Sequence, residues 1–272
     1  MNEAERKVPK RIAQTVLHSL KGGVVPRIGL PYITVGRKNE IQALLHDVDI
    51  IAEGGASFRF IVGRYGAGKS FLLQAIRNYV MDRGFIVADA DLSPERRLQG
   101  TRGQGLATYR ELIGNLSTKT KPEGGALTLI LERWISTVQT EALTESGLQQ
   151  GDPALTALVD QKIYAVTASV SELVHGFEFA QLLSAYYHAY LKSDDETKAK
   201  VVRWFRGEYA LKREAKEELG VNIIITDDDW YEYLKLFATF FRLAGYSGMM
   251  IMIDELVNIY KVPNSITRQY NY

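Results

Sequence analysis

A chain of 272 residues is long enough for one large domain or two small ones, and its 46% hydrophobic and 24% charged residues are an ordinary globular composition. The formal net charge of +1 excludes a global field that would attract nucleic acid, and the lack of cysteine excludes disulfides and thiolate chemistry, as suits a reducing cytoplasm. The polar start is not a secretory signal and no apolar run approaches about 18 residues, so we expect a cytoplasmic protein without a membrane span.

The first 34 residues predict a short helix followed by an extended arm. Apolar residues recur at helical spacing over residues 9–20, and a glycine pair ends that helix. Two prolines bias residues 24–31 away from helix. The box VGRKNE at residues 35–40 then opens a second helix, which we expect to end at the glycine pair 54–55.

A phosphate-binding loop is the strongest signal in the chain. Residues 58–62 (FRFIV) predict a short apolar strand, residues 63–70 read GRYGAGKS, and a helix follows. In G-x-x-x-x-G-K-S the glycines let backbone N–H groups curl around an anion, at which the helix N-terminus also points. The alternative is a glycine-rich turn that matches by accident, but the strand before it and the helix after it favour phosphate binding.

The side chains of this loop predict ATP and Mg²⁺ as ligands. Lys69 can reach the β- and γ-phosphates and act in catalysis, and the Ser70 hydroxyl can bind Mg²⁺. The predicted cofactor-binding residues of this segment are Gly63, Gly66, Ala67, Gly68, Lys69, Ser70 and Phe71.

A second strand is predicted over residues 85–91, after a helix that a glycine ends. Its nearly continuous apolar start is typical of a strand buried on both faces, and strand–helix–strand makes a right-handed βαβ unit. The loop that follows, residues 93–105, is rich in arginine and glycine. Its Arg96, Arg97 and Arg102 offer contacts to phosphate, of nucleic acid or of a neighbour's nucleotide, and the alternative is a solvated flexible loop.

Residues 106–245 predict an almost entirely helical segment. Helices should start at Pro122–Glu123 and at Asp152–Pro153, and a charged helix should cover residues 209–219. Three carboxylates, Asp227 to Asp229, precede a long apolar helix. We expect them to serve its dipole, with a metal site as the alternative.

A second nucleotide-site motif lies near the C-terminus. Residues 248–255 (GMMIMIDE) read as a buried apolar strand that ends in two acids, which is a Walker B pattern. Asp254 would hold Mg²⁺, usually through water, and Glu255 would polarise the attacking water as general base. The alternative is a core strand that ends in acids by chance. An acid directly after the aspartate favours hydrolysis over binding alone.

Two signatures together resemble the AAA+/STAND branch of P-loop ATPases. They are V-G-R-x-x-E at residues 35–40, ahead of the phosphate loop, and the Asp254–Glu255 pair. In that branch the box packs beside the adenine, so the resemblance makes Gly36 and Arg37 candidates for adenine-side contacts.

Four stretches are similar, more specifically, to the ATP-binding family of bacterial BREX-type phage-defence loci. They read GVVPRIGL at 23–30, FRFIVG at 58–63, ADLSPERRL at 90–98 and IDELVNIYK at 253–261, so the resemblance covers most of the chain. It implies an ATPase that serves other defence proteins in an assembly acting on or near DNA. It leaves the oligomeric state open, with a homo-oligomer among the alternatives.

The resemblance also implies elements that the sequence does not show. Family members continue past the Walker B strand into further strands, a polar sensor and a helical lid, whereas 17 residues follow Glu255. No sensor or arginine finger can be assigned. In the AAA+/STAND order a fourth strand separates the phosphate-loop strand from the Walker B strand. We therefore expect an open slot in the sheet, and weak nucleotide binding, poor hydrolysis and aggregation unless a partner segment fills it.

The sequence thus predicts an α/β fold, a P-loop NTPase with a parallel sheet core and a large helical insertion between the second strand and the Walker B strand. The predicted domains are an N-terminal helix and arm (1–34), an ATPase core (35–105 and 246–272) and the helical insertion (106–245).

The predicted function is ATP hydrolysis in a BREX-like anti-phage assembly. One alternative is a nucleotide-gated binding or scaffolding module with little turnover. The other is direct DNA contact through the loop of Arg96 and Arg102 and through cations of a helical segment, namely Arg203, Arg206, Lys212 and Arg213.

Overall fold

The computed structural model describes residues 8–26, 29–100 and 102–271, except for the side chain of Pro31. The chain divides into two units, Met1–Phe85 and Ile86–Tyr272, and each has its own buried apolar side chains. Among the described helices, none has the length and apolar character needed to cross a membrane.

Helices make up the first unit, and their bounds follow the apolar periodicity and the glycines of the sequence. They are α1 (Lys10–Lys21), α2 (Leu30–Ile33), α3 (Lys38–Ala52) and α4 (Lys69–Asp82). Helices α3 and α4 pack together, and Ile41, Val48, Ile76 and Val80 are buried in this unit. The sequence predicted α1, α3 and α4, because apolar residues recur every three or four positions and a glycine follows each helix.

The strand predicted over residues 58–62 is not formed, so that prediction was wrong. The segment belongs to no ladder among the described residues, and Phe58, Phe60 and Val62 are exposed. It is attached instead through Arg59, whose Nη2 donates to Asp47 Oδ1 at 3.0 Å. A strand is stabilised by backbone hydrogen bonds to a neighbouring strand, so apolar composition alone does not form one.

The second unit contains a two-stranded parallel sheet of β1 (Phe85–Asp91) and β2 (Gly248–Asp254). Just past the end of β1, the Leu92 N–H donates to the Asp254 carbonyl at 3.1 Å, so both strands end at the same edge. The first four residues of β1 are buried, as its apolar start predicts. The fold is therefore mixed α/β and mostly helical, and the described residues form two strands where the sequence predicted three.

Helices fill the span between the two strands, which confirms the predicted helical segment. Residues 106–245 contain no strand, only isolated antiparallel bridges near residue 118. The predicted helix start at Pro122–Glu123 was wrong, because the next helix begins at Leu127. The helices are α5 (Gln104–Gly114), α6 (Leu127–Ser146), α7 (Pro153–Ser171), α8 (Gly176–Leu191), α9 (Asp195–Phe205), α10 (Lys212–Leu219) and α11 (Trp230–Leu243), followed after β2 by α12 (Val257–Tyr260) and α13 (Ser265–Gln269).

An aromatic core joins these helices. Phe179 of α8 lies 4.8 Å from Phe205 and 4.9 Å from Phe237, measured between ring centroids, and Trp134 lies 5.0 Å from Phe240. All five side chains are buried. Tilted and edge-to-face pairs of this kind contribute about 0.5–1.5 kcal/mol each beyond the area they bury, so the helical part of the second unit has a well-packed core of its own.

Candidate functional site

The loop at residues 63–70 has the backbone that its glycines predict. Gly66 and Gly68 both have a φ of 78°, in the left-handed region where a side chain is strained. Gly68 is the N-cap of α4, which begins at Lys69. The first N–H groups of a helix have no partner within the helix, and the helix dipole adds positive potential there. The loop therefore has the geometry and the polarity that favour an anion.

Lys69 and Ser70, predicted to bind phosphate and magnesium, begin α4. The Lys69 ammonium donates to the carbonyl oxygens of Gly63 at 3.1 Å and Arg64 at 3.2 Å, so it lies across the loop. Both bonds are exposed to solvent, so a phosphate oxygen can replace the carbonyls at little cost. A Cβ on Gly63 would lie 3.2 Å from the Cβ of Ala67, and the glycine keeps that tight turn free of strain.

Arg37 connects the start of α3 to the phosphate loop. Its Nη1 donates to Glu40 Oε1 at 2.9 Å, and its Nη2 donates to the carbonyl oxygen of Ala67. The C=O and N–H of a trans peptide point in opposite directions, so holding the Ala67 oxygen turns the Gly68 N–H to the other side. A backbone hydrogen bond and then the bond from Arg37 hold the pKa of Glu40 below its ordinary value. The adenine-side roles of Gly36 and Arg37 stay predictions.

Asp254, of the predicted Walker B motif, is the last residue of β2, and Glu255 follows it. Half-buried Asp254 accepts a hydrogen bond at 2.8 Å from the Glu255 N–H. Glu255 has a φ of 58°, a conformation that costs a non-glycine residue about 1–3 kcal/mol and that clusters at functional sites. Glu255 is also exposed, so water can reach the carboxylate, as a general base requires.

Acidic groups gather where β1 and β2 end. Burial, and then the charges of Asp254 and Asp89, raise the pKa of Asp91. Burial also raises the pKa of Glu111, an effect that its ion pair with Arg96 opposes. In the part of the chain that the structure describes, no group of three metal-ligating side chains could hold an ion. The predicted magnesium role of Asp254 stays a prediction.

The arginine loop after β1 uses its cations in two ways. Arg96 donates from Nε to the Asp91 carbonyl at 2.9 Å and pairs with Glu111, so its charge is already compensated. Arg97 and Arg102 have no ion-pair partner among residues 8–26, 29–100 and 102–271. Of the three arginines predicted to contact phosphate, Arg97 and Arg102 are therefore the two whose charge is not compensated by an ion pair.

Two polar residues hold these segments in place through contacts that the sequence did not predict. Asn258 donates from Nδ2 to the Leu92 carbonyl at 2.7 Å and so ties together the segments that follow β2 and β1. Asp227 accepts from the N–H groups of Gly103 at 2.6 Å and Leu106 at 2.8 Å. It therefore caps α5, whereas the sequence predicted that it serves α11. Their partners lie 166 and 124 residues away, so no local signal could identify them.

Comparison with known proteins places the chain in a family. A family model described as BREX system ATP-binding protein BrxC/D matches residues 8–272. No curated protein and no solved structure matches the chain significantly. The match covers all four stretches on which the resemblance in the sequence was based, so that resemblance is confirmed.

Proposed function

Because this chain belongs to the BREX system ATP-binding protein family, we propose that it binds ATP at residues 63–70 and hydrolyses it for an anti-phage assembly. Family membership gives it a phage-defence, ATP-binding role with other defence-system proteins as partners. One observation supports the site most strongly. The left-handed glycines Gly66 and Gly68 and the start of α4 at Lys69 fall in the segment whose residue spacing suits phosphate.

We assign the fold to P-loop NTPases of the AAA+/STAND branch. The parallel pairing of β1 with β2 supports this assignment. The domains that we propose are those predicted from the sequence, namely an arm (1–34), an ATPase core (35–105 and 246–272) and a helical insertion (106–245).

The proposed roles divide between the two motifs. Backbone N–H groups from Gly66 to Phe71, together with the Lys69 ammonium, hold the β- and γ-phosphates. Ser70 and Asp254 offer a hydroxyl and a carboxylate, the oxygen ligands that Mg²⁺ takes, and magnesium when bound neutralises charge on the phosphate oxygens. Glu255 accepts a proton from the attacking water, and its N–H bond to Asp254 keeps the two acids in register.

ATP binding is tested by removing one ammonium. Lys69→Ala should abolish measurable ATP binding in calorimetry, a loss of at least about tenfold, because it deletes a charge-assisted contact to phosphate. Arg64→Ala, in the same loop at a variable position of the motif, is the matched control and should stay within about twofold. Equal ATP affinity in Lys69→Ala and wild type would reject the phosphate site.

Hydrolysis is tested separately from binding. Glu255→Gln should keep ATP bound and lower turnover at least about a hundredfold, the usual range for loss of a general base. Loss of phage defence in this variant would support turnover as the function. Retained defence would favour the second candidate, a nucleotide-gated module in which ATP sets conformation or assembly.

Direct DNA contact is a further candidate, favoured by the lack of acidic partners for Arg97 and Arg102 within the described part of the chain. Arg96 is less suited, since Glu111 compensates its charge. A cytoplasmic location and a homo-oligomer stay predictions. Light scattering of the full chain with and without ATP measures the oligomeric state.

A further inference from the structure

A cleft of about 490 Å³ lies in the second unit, between the arginine loop and α13. This volume is within the range of about 300–1,000 Å³ typical of small-molecule sites. Its polar and aromatic lining residues are Arg97, Gln99, Arg102, Gln104, Thr267 and Tyr270.

Asn271 fixes the two sides of this cleft against each other. Its side-chain oxygen accepts from the Gln99 N–H at 2.8 Å, and its Nδ2 donates to the carbonyl oxygens of Gln99 at 3.0 Å and Thr267 at 2.8 Å. Asn271 is only 3% exposed, so these bonds are shielded from competing water. Two of these bonds cross to the loop at Gln99, and the third attaches Asn271 to α13.

The charge of the cleft is positive. Arg97 and Arg102 line it, and no acidic side chain is among its described lining residues. The Nε of Arg97 is buried and has no hydrogen-bond partner in the described structure. Neither guanidinium has an acidic partner among the described residues, so an anionic ligand is favoured here.

Other cations of this unit are differently placed. Arg203 pairs with Glu214 and Glu218, and Arg213 pairs with Glu217 at 2.7 Å. These ion pairs reduce the charge available to a ligand. Of the four helical cations that the sequence suggested for DNA contact, two are thus paired, whereas Arg206 and Lys212 have no ion-pair partner among the described residues.

We propose that this cleft binds a nucleoside phosphate, with the phosphate on Arg97 and Arg102 and the base on Tyr270. Guanidinium groups match phosphate oxygens in geometry and charge, and an exposed aromatic ring offers a face on which any base can stack. The amides of Gln99 and Gln104 supply donors and acceptors for the base edge or sugar. None of its described lining residues belongs to the phosphate loop. Its ligand is either a free nucleotide or one nucleotide of a single-stranded nucleic acid.

The test uses the full chain carrying Lys69→Ala, so that failure of the phosphate loop cannot affect the result. Two fluorescent probes are titrated, an oligothymidylate and an ATP analogue, and binding of at least one is expected. Adding Arg97→Gln and Arg102→Gln should lower the affinity for each probe that binds at least about tenfold, because losing one charged hydrogen bond lowers affinity by about that factor. The matched control adds Lys192→Gln and Lys216→Gln, which remove two exposed cations at the end of α8 and in α10, and should stay within about twofold.

Two more measurements identify the source of the ligand and the role of the ring. With the oligothymidylate, the arginine double variant should reduce the slope of log K against log salt by about 0.7, because the two arginines hold one phosphate. Tyr270→Ala should weaken binding of either probe but leave binding of inorganic tripolyphosphate unchanged. Arg102→Gln alone, at an exposed position, repeats the loss of affinity if the double variant fails to fold. Binding of neither probe, or equal losses in the arginine and control variants, would overturn the proposal.

Discussion

The two units of the chain differ in what covers their apolar side chains. In the second unit the buried rings of Phe179 and Phe237 contact each other, and Trp134 is buried against Phe240. In the first unit Phe58 and Phe60 contact each other edge-to-face at 4.9 Å but remain 79% and 62% exposed. The helical unit is thus stabilised by its own core. The residues before the phosphate loop are fixed mainly by an ion pair, so we expect the two units to respond differently to mutation, pH and ligand.

The largest expected effect is a fall in the free energy of unfolding of the second unit when its aromatic core loses a ring. Phe237→Ala removes a fully buried ring and should lower the free energy of unfolding of the second unit by about 3–5 kcal/mol. All three tryptophans, Trp134, Trp204 and Trp230, lie in this unit, so urea unfolding followed by tryptophan fluorescence measures it. Tyr231→Ala, on the exposed face of the same helix, is the control. A loss below about 1 kcal/mol for Phe237→Ala would show that this core does not stabilise the unit.

A smaller effect is expected from the cap that joins two distant parts of the second unit. Asp227→Ala removes the acceptor for two N–H groups at the start of α5 and should cost about 1–2 kcal/mol in the same unfolding assay. Asp228→Ala, exposed and adjacent, should stay within about 0.5 kcal/mol. Equal losses in both variants, or a melting temperature that Mg²⁺ raises only when Asp227 is present, would favour the metal alternative for these aspartates.

The smallest effect concerns the first unit, where Asp47 and Arg59 attach the segment before the phosphate loop. Asp47→Asn should cost about 1 kcal/mol, because Arg59 is half exposed and solvent screens the pair. Trypsin should cut faster after Arg59 in this variant. Asp49→Asn, which removes the partner of Arg83 instead, should leave that cut unchanged. Unchanged cleavage in Asp47→Asn would show that the ion pair does not hold the segment.

This ion pair also predicts an acid dependence for the first unit. A hydrogen bond from Arg59 holds the pKa of Asp47 below its ordinary value of 3.8. A lowered folded-state pKa stabilises the folded form above the ordinary value, and that contribution is lost as the pH falls through the folded pKa. Amide exchange in residues 56–60, corrected for the intrinsic rate, should therefore accelerate between about pH 4 and pH 2. Asp47→Asn should remove this acceleration, and an unaltered pH profile in that variant would contradict the assignment.

Local sequence patterns predicted most of the helices but not the placement of the strands. The bounds of α11 and the cap of α7 by Asp152, which accepts from the Ala154 N–H at 2.8 Å, depend on neighbours in sequence. A strand depends on partners far along the chain. Residues 58–62 are apolar in composition but have no neighbouring strand among the described residues, and they do not form a strand. Residues 85–91 pair with β2 and form β1.

The candidate site shows the same division between local and distant information. Spacing alone identified the left-handed glycines Gly66 and Gly68, because only glycine adopts that backbone freely. The contact of Arg37 with the Ala67 carbonyl and the bonds of Asn271 to Gln99 join segments far apart in sequence, and single residues gave no signal for them.

Amide hydrogen exchange with and without Mg²⁺ and ATP tests the central claim most directly. ATP should slow exchange at residues 63–70, because the backbone N–H groups there would bond to phosphate, and Lys69→Ala should abolish that protection. The buried helices α6 and α8 should show no change. Protection that is confined to the arginine loop, or that persists unchanged at residues 63–70 in Lys69→Ala, would contradict the assignment of the nucleotide to the phosphate loop.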